Sequence, residues 1–223
     1  MPRRRDVRAT YERIGHHFAT TREYPWPEVE SFVDDATPVD DGTVGLDLGC
    51  GNCRHAGVMA AHVDRVVGVD VSRSLLETGR TRALDRGFDH CLDLVQADAT
   101  ALPLAADVVD LATYVATLHH LPTRPDRLAS LEELARVLDP TGRALVSAWS
   151  TAHERFPARS ADDETGFDTT IEWSLPDGES VDRFYHIYAP AEFEADLEAS
   201  RLTLLDWEVS SGNCYARVAG ADR

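Results

Sequence analysis

Short apolar runs alternate along this chain with segments whose apolar residues recur every three or four positions. The first pattern predicts buried strands and the second amphipathic helices. Strands are expected at about 43–48, 64–70, 92–96, 108–115 and 144–149. The run Val108-Val-Asp-Leu-Ala-Thr-Tyr-Val115 is apolar on both alternations apart from Asp110 and the small hydroxyl of Thr113, as a strand covered on both faces should be. Tyr11, Ile14 and Phe18 make one helical stripe, Pro25 and Pro27 interrupt it around Trp26, and a short helix follows at 28–35. Further helices are expected at 54–62, after Asp70 (through Leu75, Leu76 and Leu84, with Gly87 as its cap), at 127–138 and at 191–200. Pro140-Thr-Gly142 reads as a turn into the fifth strand, and 202–209 with 213–218 as an antiparallel hairpin.

Strand–helix alternation followed by two strands with no helix between them describes an α/β fold. It is a Rossmann-like, doubly wound, seven-stranded sheet whose last strand is antiparallel. The predicted organisation is an N-terminal helical cap, 1–36, and one catalytic domain, 37–223. Residues 150–182 are polar, acidic and without a clear period, so a long insertion or flap is expected there. In such sheets ligands bind outside the carboxyl ends of the strands. Four tips therefore converge: Asp47 to Gly51, Asp70, Asp98-Ala99, and Val115 to His120.

Composition changes this picture in two places. The net charge is −17, and all 22 basic residues are arginine. So acidic a surface ordinarily repels nucleic acid. A lysine-free, aspartate-rich chain, however, resembles proteins of salt-accumulating microbes, where charge is screened over about 3 Å at 1 M salt. The charge therefore does not exclude an RNA substrate. No apolar run is long enough for a membrane span, and the basic start lacks a following apolar segment, so a cytoplasmic protein is expected. Cys50 and Cys53 form a C-x-x-C, but Cys91 and Cys214 stand alone, so neither a zinc site nor a dithiol centre is expected.

The chemistry centres on Val44-Gly-Leu-Asp-Leu-Gly-Cys-Gly-Asn-Cys53, with Asp70 ending the next strand. A glycine turn opening a helix offers free backbone N–H groups and close approach, and an acid about 20 residues on can hold ribose hydroxyls. There is no third glycine for a dinucleotide, and Asp47 is poor company for a pyrophosphate. D-x-G-x-G resembles motif I of the class I methyltransferases that use S-adenosylmethionine (SAM). That resemblance implies a SAM seat at Asp47, Gly49, Cys50, Gly51, Asp70, Val71, Asp98, Ala99 and Val115, with Asp98 on the adenine amine. The fourth tip lacks the Asn/Asp-Pro-Pro-Tyr of enzymes that methylate amide or adenine nitrogens. His119 and His120 there suit either proton removal or hydrogen bonding to an oxygen.

Tyr11 to Arg22, Tyr24-Pro-Trp-Pro27, Leu46 to Asn52, Gly68 to Leu76, Leu118-His-His-Leu121 and Arg183-Phe-Tyr-His-Ile-Tyr188 together resemble the eukaryotic tRNA carboxymethyluridine methyltransferases. The resemblance implies methyl esterification of a carboxymethyl group on the wobble uridine. It implies that Arg22 and one of His119 and His120 serve catalysis, with Trp26, Arg183, Tyr185 and His186 near the substrate. A carboxylate needs no strong base; it needs orientation by an arginine fork and a histidine donor. Arg22 could equally hold the methionine carboxylate of SAM. The resemblance further implies a heterodimer with a small, often zinc-binding activator subunit on the sheet edge around Phe88, Leu92, Leu94 and Gln96. Cys53 replaces a usual glycine and Cys214 a usual tryptophan, and the lysine-rich RNA surface is absent, leaving Arg3, Arg4, Arg5, Arg8 and Arg13 for phosphate contact. A small-molecule O- or C-methyltransferase and a catalytically silent SAM-binding scaffold are the alternatives.

Overall fold

A computed structural model describes residues 2–36 and 41–221. The helices are α1 (Arg4–Ala19), α2 (Pro27–Ala36), α3 (Ala56–Met59), α4 (Arg73–Arg86), α5 (Arg124–Val137) and α6 (Pro190–Glu198). The strands are β1 (Val44–Leu48), β2 (Arg65–Asp70), β3 (Leu92–Gln96), β4 (Val109–Val115), β5 (Leu138–Trp149), β6 (Phe167–Ser174), β7 (Ser180–Ile187), β8 (Thr203–Ser210) and β9 (Asn213–Ala219). Seven of them form one sheet in the order β3-β2-β1-β4-β5-β9-β8, with β9 antiparallel to both neighbours and the rest parallel. This is the expected doubly wound sheet with a reversed last strand. Leu46, Leu48, Leu111, Ala112, Tyr114 and Val146 are fully covered at its centre, because helices pack on both faces. Gly87 closes α4 in the left-handed conformation (φ 76°), as the cap argument required. No helix among the described residues is long and apolar enough to cross a membrane.

The differences from expectation have local causes. The helix expected at 54–62 is reduced to the four residues of α3, with turns at 54–55 and 60–62 on either side. Leu84, assigned to the buried face of α4, is 59% exposed. α5 starts earlier than its apolar stripe, because Thr123 accepts the Asp126 N–H and Pro125 suits the first turn. The segment 150–182 contains most of an ordered hairpin, β6–β7, rather than an irregular flap. Its alternation of Phe167, Thr169, Ile171 and Trp173 is easily lost among acidic neighbours. The boundary between cap and catalytic domain abuts residues 37–40, outside the described residues. On its near side α1 packs against α4 and β7: Tyr11 and Ile14 are buried, Glu12 accepts the Arg73 N–H, and His17 accepts the Trp173 indole N–H rather than facing solvent.

Candidate active site

A cavity of about 450 Å³ opens across the tips of β1, β2, β3 and β4 and is roofed by α1 and the Tyr185 end of β7. Its wall includes Gly49, Cys50, Gly51, Asp70, Val71, Asp98, Ala99, Val115, Arg22, Trp26, His119, His120 and Tyr185. These residues, separated by up to 163 positions in the chain, were all singled out by the sequence. The glycine turn is required by two separate constraints. Gly49 has φ 76°, and a Cβ there would overlap the Thr117 side chain; Gly51 has φ 54° with nothing within 4 Å of a Cβ, so it faces open cavity. Cys53, at φ 60°, is tolerated because its thiol lies over Gly79 of α4, where any Cβ would collide with it. The departure from glycine is thus absorbed behind the turn. Cys214 lies in the sheet core, fully buried, with its thiol pushed up to about 11 by burial.

Asp47 does not face the cavity. Its carboxylate is 1% exposed and accepts the Ala56 N–H at 2.9 Å and the Thr113 hydroxyl at 3.0 Å. It ties the start of α3 to β4, and burial raises its pKa to about 7 against those bonds. Asp70 accepts the Gly51 and Ser72 N–H groups at 2.9 and 2.8 Å, and burial raises it to about 6. Each carboxylate oxygen has a second lone pair, so Asp70 can still receive hydroxyls. Asp98 receives Thr100 and, at 2.7 Å, Arg4 of α1; these bonds outweigh burial and lower its pKa. The glycine turn, whose Gly49, Cys50 and Gly51 N–H groups are spent on the Val69 carbonyl and Asp70, offers close approach; with the acid at the β2 tip and the apolar patch of Val71, Leu75, Ala97 and Ala99 it fits a purine nucleoside carrying a cationic side chain.

The two histidines separate cleanly. The Trp149 N–H donates to His119 Nδ1 at 2.9 Å, which places the proton on Nε2. That ring is 1% exposed, and burial followed by His120 and Arg183 holds its pKa well below the usual histidine value. It is a neutral imidazole whose Nε2–H makes no bond within the described residues. His120 spends both nitrogens: Nδ1 donates to the Phe184 carbonyl at 2.9 Å and Nε2 accepts the Tyr11 hydroxyl at 2.8 Å. Burial drives it down to about 3. His120 latches α1 and β7 to the β4 tip. Ala116, at φ 52°, is the strained residue that turns the chain into this tip.

Tyr11, Asn52, Arg54, His55 and Trp149 are wall residues not assigned to the site from sequence. Asn52 donates to the Ala19 and Arg22 carbonyls, at 3.2 and 2.9 Å, and so fastens the end of α1 to the glycine turn. Its place directly after G-x-G was the available signal. Arg183 and Tyr185 share one face of β7. Arg183 is buried, donates to the Tyr185 hydroxyl at 2.6 Å and sits among Phe18, Trp173 and Tyr185, behind the wall rather than in it. His186 points to the opposite face, between Asp168 at 2.7 Å and Glu192 at 3.0 Å, and takes no part in the cavity. At the sheet edge, Phe88 is buried against Gly57 rather than exposed. Leu92 and Leu94 are half-buried, and Gln96 reaches back to the Val71 carbonyl at 3.1 Å. Among the described residues no cluster of three metal-ligating side chains is present.

Residues 46–146 match the family described as Methyltransferase domain. The tRNA (carboxymethyluridine(34)-5-O)-methyltransferase ALKBH8 of Macaca fascicularis is 34% identical over 148 residues, 66% of this chain but 20% of that protein; this chain spans only a fifth of its length. A putative methyltransferase of Encephalitozoon cuniculi is 30% identical over 187 residues, 82% of this chain and 80% of that one. A solved complex between the Haloferax volcanii Trm112 methyltransferase activator and a putative methyltransferase superposes with a TM-score of 0.68 at 15% identity, covering 97% of this chain and 98% of that chain. The chain belongs to the methyltransferases, and its fold is that of solved SAM-dependent members, among them one from Clostridium acetobutylicum.

Proposed function

We propose that this protein transfers methyl from SAM to a carboxylate, or another oxygen, of a modified uridine in tRNA. The observation that carries the reading is a neutral His119 with a free Nε2–H on the same cavity wall as Arg22, a guanidinium without a carboxylate partner among the described residues. Bound SAM supplies an electrophilic methyl on a sulfonium whose charge is cancelled as the methyl leaves. Asp70, fixed by the Gly51 and Ser72 N–H groups, seats the nucleoside end, with Asp98 on the adenine amine. Arg22 and His119 orient the acceptor oxygen in line, donating to the oxygen that does not attack. The stacked Trp149 and Tyr185 rings (centroids 5.0 Å apart, 27° between planes) exclude water beside it.

Two features support the remaining assignments. β3 is an uncovered edge of the sheet with half-buried Leu92 and Leu94, suited to strand addition by a small activator protein. On α1, Arg4, Arg5 and Arg13 are paired with Asp98, Asp6 and Glu179, leaving Arg3 and Arg8 exposed for RNA phosphates. The test is methyl transfer to tRNA from a strain deleted for the gene, with and without a co-expressed zinc-binding activator. A new methylated uridine, lost in Arg22→Ala, is expected. Unchanged nucleosides on mass spectrometry in the deletion strain would remove the tRNA reading, and full activity as a lone, monodisperse chain would remove the activator.

A further inference from the structure

Tyr24 is 77% exposed, more than any other large apolar side chain among the described residues; Leu84 comes next at 59%. Its ring packs on no other ring among them, and its hydroxyl makes no hydrogen bond there. A single exposed tyrosine is ordinary, but one on a loop this firmly held is not. The loop, 20–26, joins α1 to α2, and three consecutive carbonyls in it are bonded by side chains from other elements. Asn52 donates to the Arg22 carbonyl at 2.9 Å, Arg82 of α4 to that of Glu23, and Arg54 to that of Tyr24 at 3.2 Å. Pro25 and Pro27 stiffen the backbone on either side of Trp26. The tyrosine is therefore presented from a fixed point, and little backbone entropy is lost when something docks on it.

The same loop borders the cavity. Thr21, Arg22 and Trp26 belong to the wall and Tyr24 does not. It lies two residues from Arg22 and from Trp26, its Cα at most about 8 Å from theirs, so the ring stands on the rim. Cations gather around it. Arg82 and Arg86 both pair with Glu23, Arg82 at 3.6 Å, and Arg54 holds the Tyr24 carbonyl. Burial lowers the Arg54 pKa to about 10, and the charges of Arg22 and Arg82 add to this against Asp47, so the three guanidiniums lie within one another's field. Four arginines thus share one paired acid, Glu23, on a chain whose net charge is −17. A bare ring on a rigid loop among guanidiniums suits single-stranded nucleic acid: any base can stack on the ring while cations take the phosphates. An acidic protein segment would use the charges but leave the flat face of the ring idle.

We infer that Tyr24 is a stacking platform for an RNA base next to the one being methylated, with Arg86, the exposed member of the four arginines, on its phosphate. The platform rests on the reading that the acceptor is a nucleotide of tRNA. The test titrates the full chain with labelled tRNA from the deletion strain and, separately, with S-adenosylhomocysteine. Tyr24→Ala should weaken tRNA binding by about 5- to 100-fold, the worth of one stacked base. Tyr24→Phe and Tyr24→Trp should stay within about threefold of the unsubstituted chain, because the ring and not the hydroxyl does the holding. S-adenosylhomocysteine should bind within about twofold in all three. Arg86→Gln should flatten the dependence of log K on log salt by about 0.7, while Tyr24→Ala leaves that slope unchanged, since stacking releases no counterion. Unchanged tRNA affinity in Tyr24→Ala, or equal loss in Tyr24→Phe, would overturn the platform and leave the tRNA reading intact. Loss of S-adenosylhomocysteine together with tRNA would show a displaced loop and overturn it as well. So would polyaspartate weakened more than tRNA by Tyr24→Ala, which would assign the rim to an acidic protein segment. No tRNA binding by the unsubstituted chain would instead remove the function on which the platform rests.

Discussion

At the floor of the cavity Asp70 accepts two backbone N–H groups, and Asp47 beneath it accepts a third and a hydroxyl. In the roof and side wall, Arg22 and Arg54, with Arg183 behind them, meet no carboxylate among the described residues. The acids are satisfied by donors of the packed turns around them: Gly51 and Ser72 for Asp70, Ala56 and Thr113 for Asp47. The cations are held by aromatic rings and single carbonyls, which position a guanidinium without neutralising it. The floor is therefore rigid and preorganised, while the roof is electrostatically incomplete until anions enter it.

Several measurements would break or sharpen this contrast. The largest effect belongs to Gly49→Ala, since the new Cβ overlaps Thr117 at a φ of 76°. Titration should show S-adenosylhomocysteine affinity falling by more than about 100-fold, because two penalties act together. The histidines come next and test the roof directly. His119→Ala should lower kcat by about 100-fold with ligand affinity unchanged. His120→Ala should mainly release α1 and β7, costing about 1–3 kcal/mol in denaturant unfolding. Equal kinetic effects with equal stability would erase the distinction drawn between them.

A smaller effect concerns pH. Asp70 has a raised folded pKa of about 6, and ribose hydroxyls favour its charged form. Affinity for S-adenosylhomocysteine should therefore rise about tenfold from pH 5 to 7 and level off above that, with the slope absent in Asp70→Asn. The sign for the free protein is opposite. Asp47 and Asp70 bind protons more tightly folded than unfolded, so their contribution to stability declines as pH rises from about 4 to about 7. His119, neutral throughout, should add no inflection to kcat between pH 6 and 8. The least effect is expected from His186→Gln, which loosens the Asp168–Glu192 bridge on the far face of β7 and should leave KM unchanged.

The comparison also marks how far the chain could be read without its fold. Val108–Val115, Gly87 and the Gly49-to-Asp70 spacing carry their meaning locally: two-sided burial, a left-handed cap and a turn-to-strand-tip distance are properties of short stretches of chain. With the 202–209/213–218 hairpin, which gave the reversed last strand, they determined the doubly wound sheet and the cofactor tips. The tertiary structure alone decided which members of each motif face the cavity. Asp47 turned inward because the Ala56 N–H and the Thr113 hydroxyl come within reach only once β1, β4 and α3 are packed. Arg183 and His186, neighbours in one motif, parted because a strand sends residues of odd and even position to opposite faces. His119 and His120 are adjacent and chemically identical in the sequence. Their roles diverged through partners 30 and 109 residues away, Trp149 and Tyr11, and no local pattern encodes such distances.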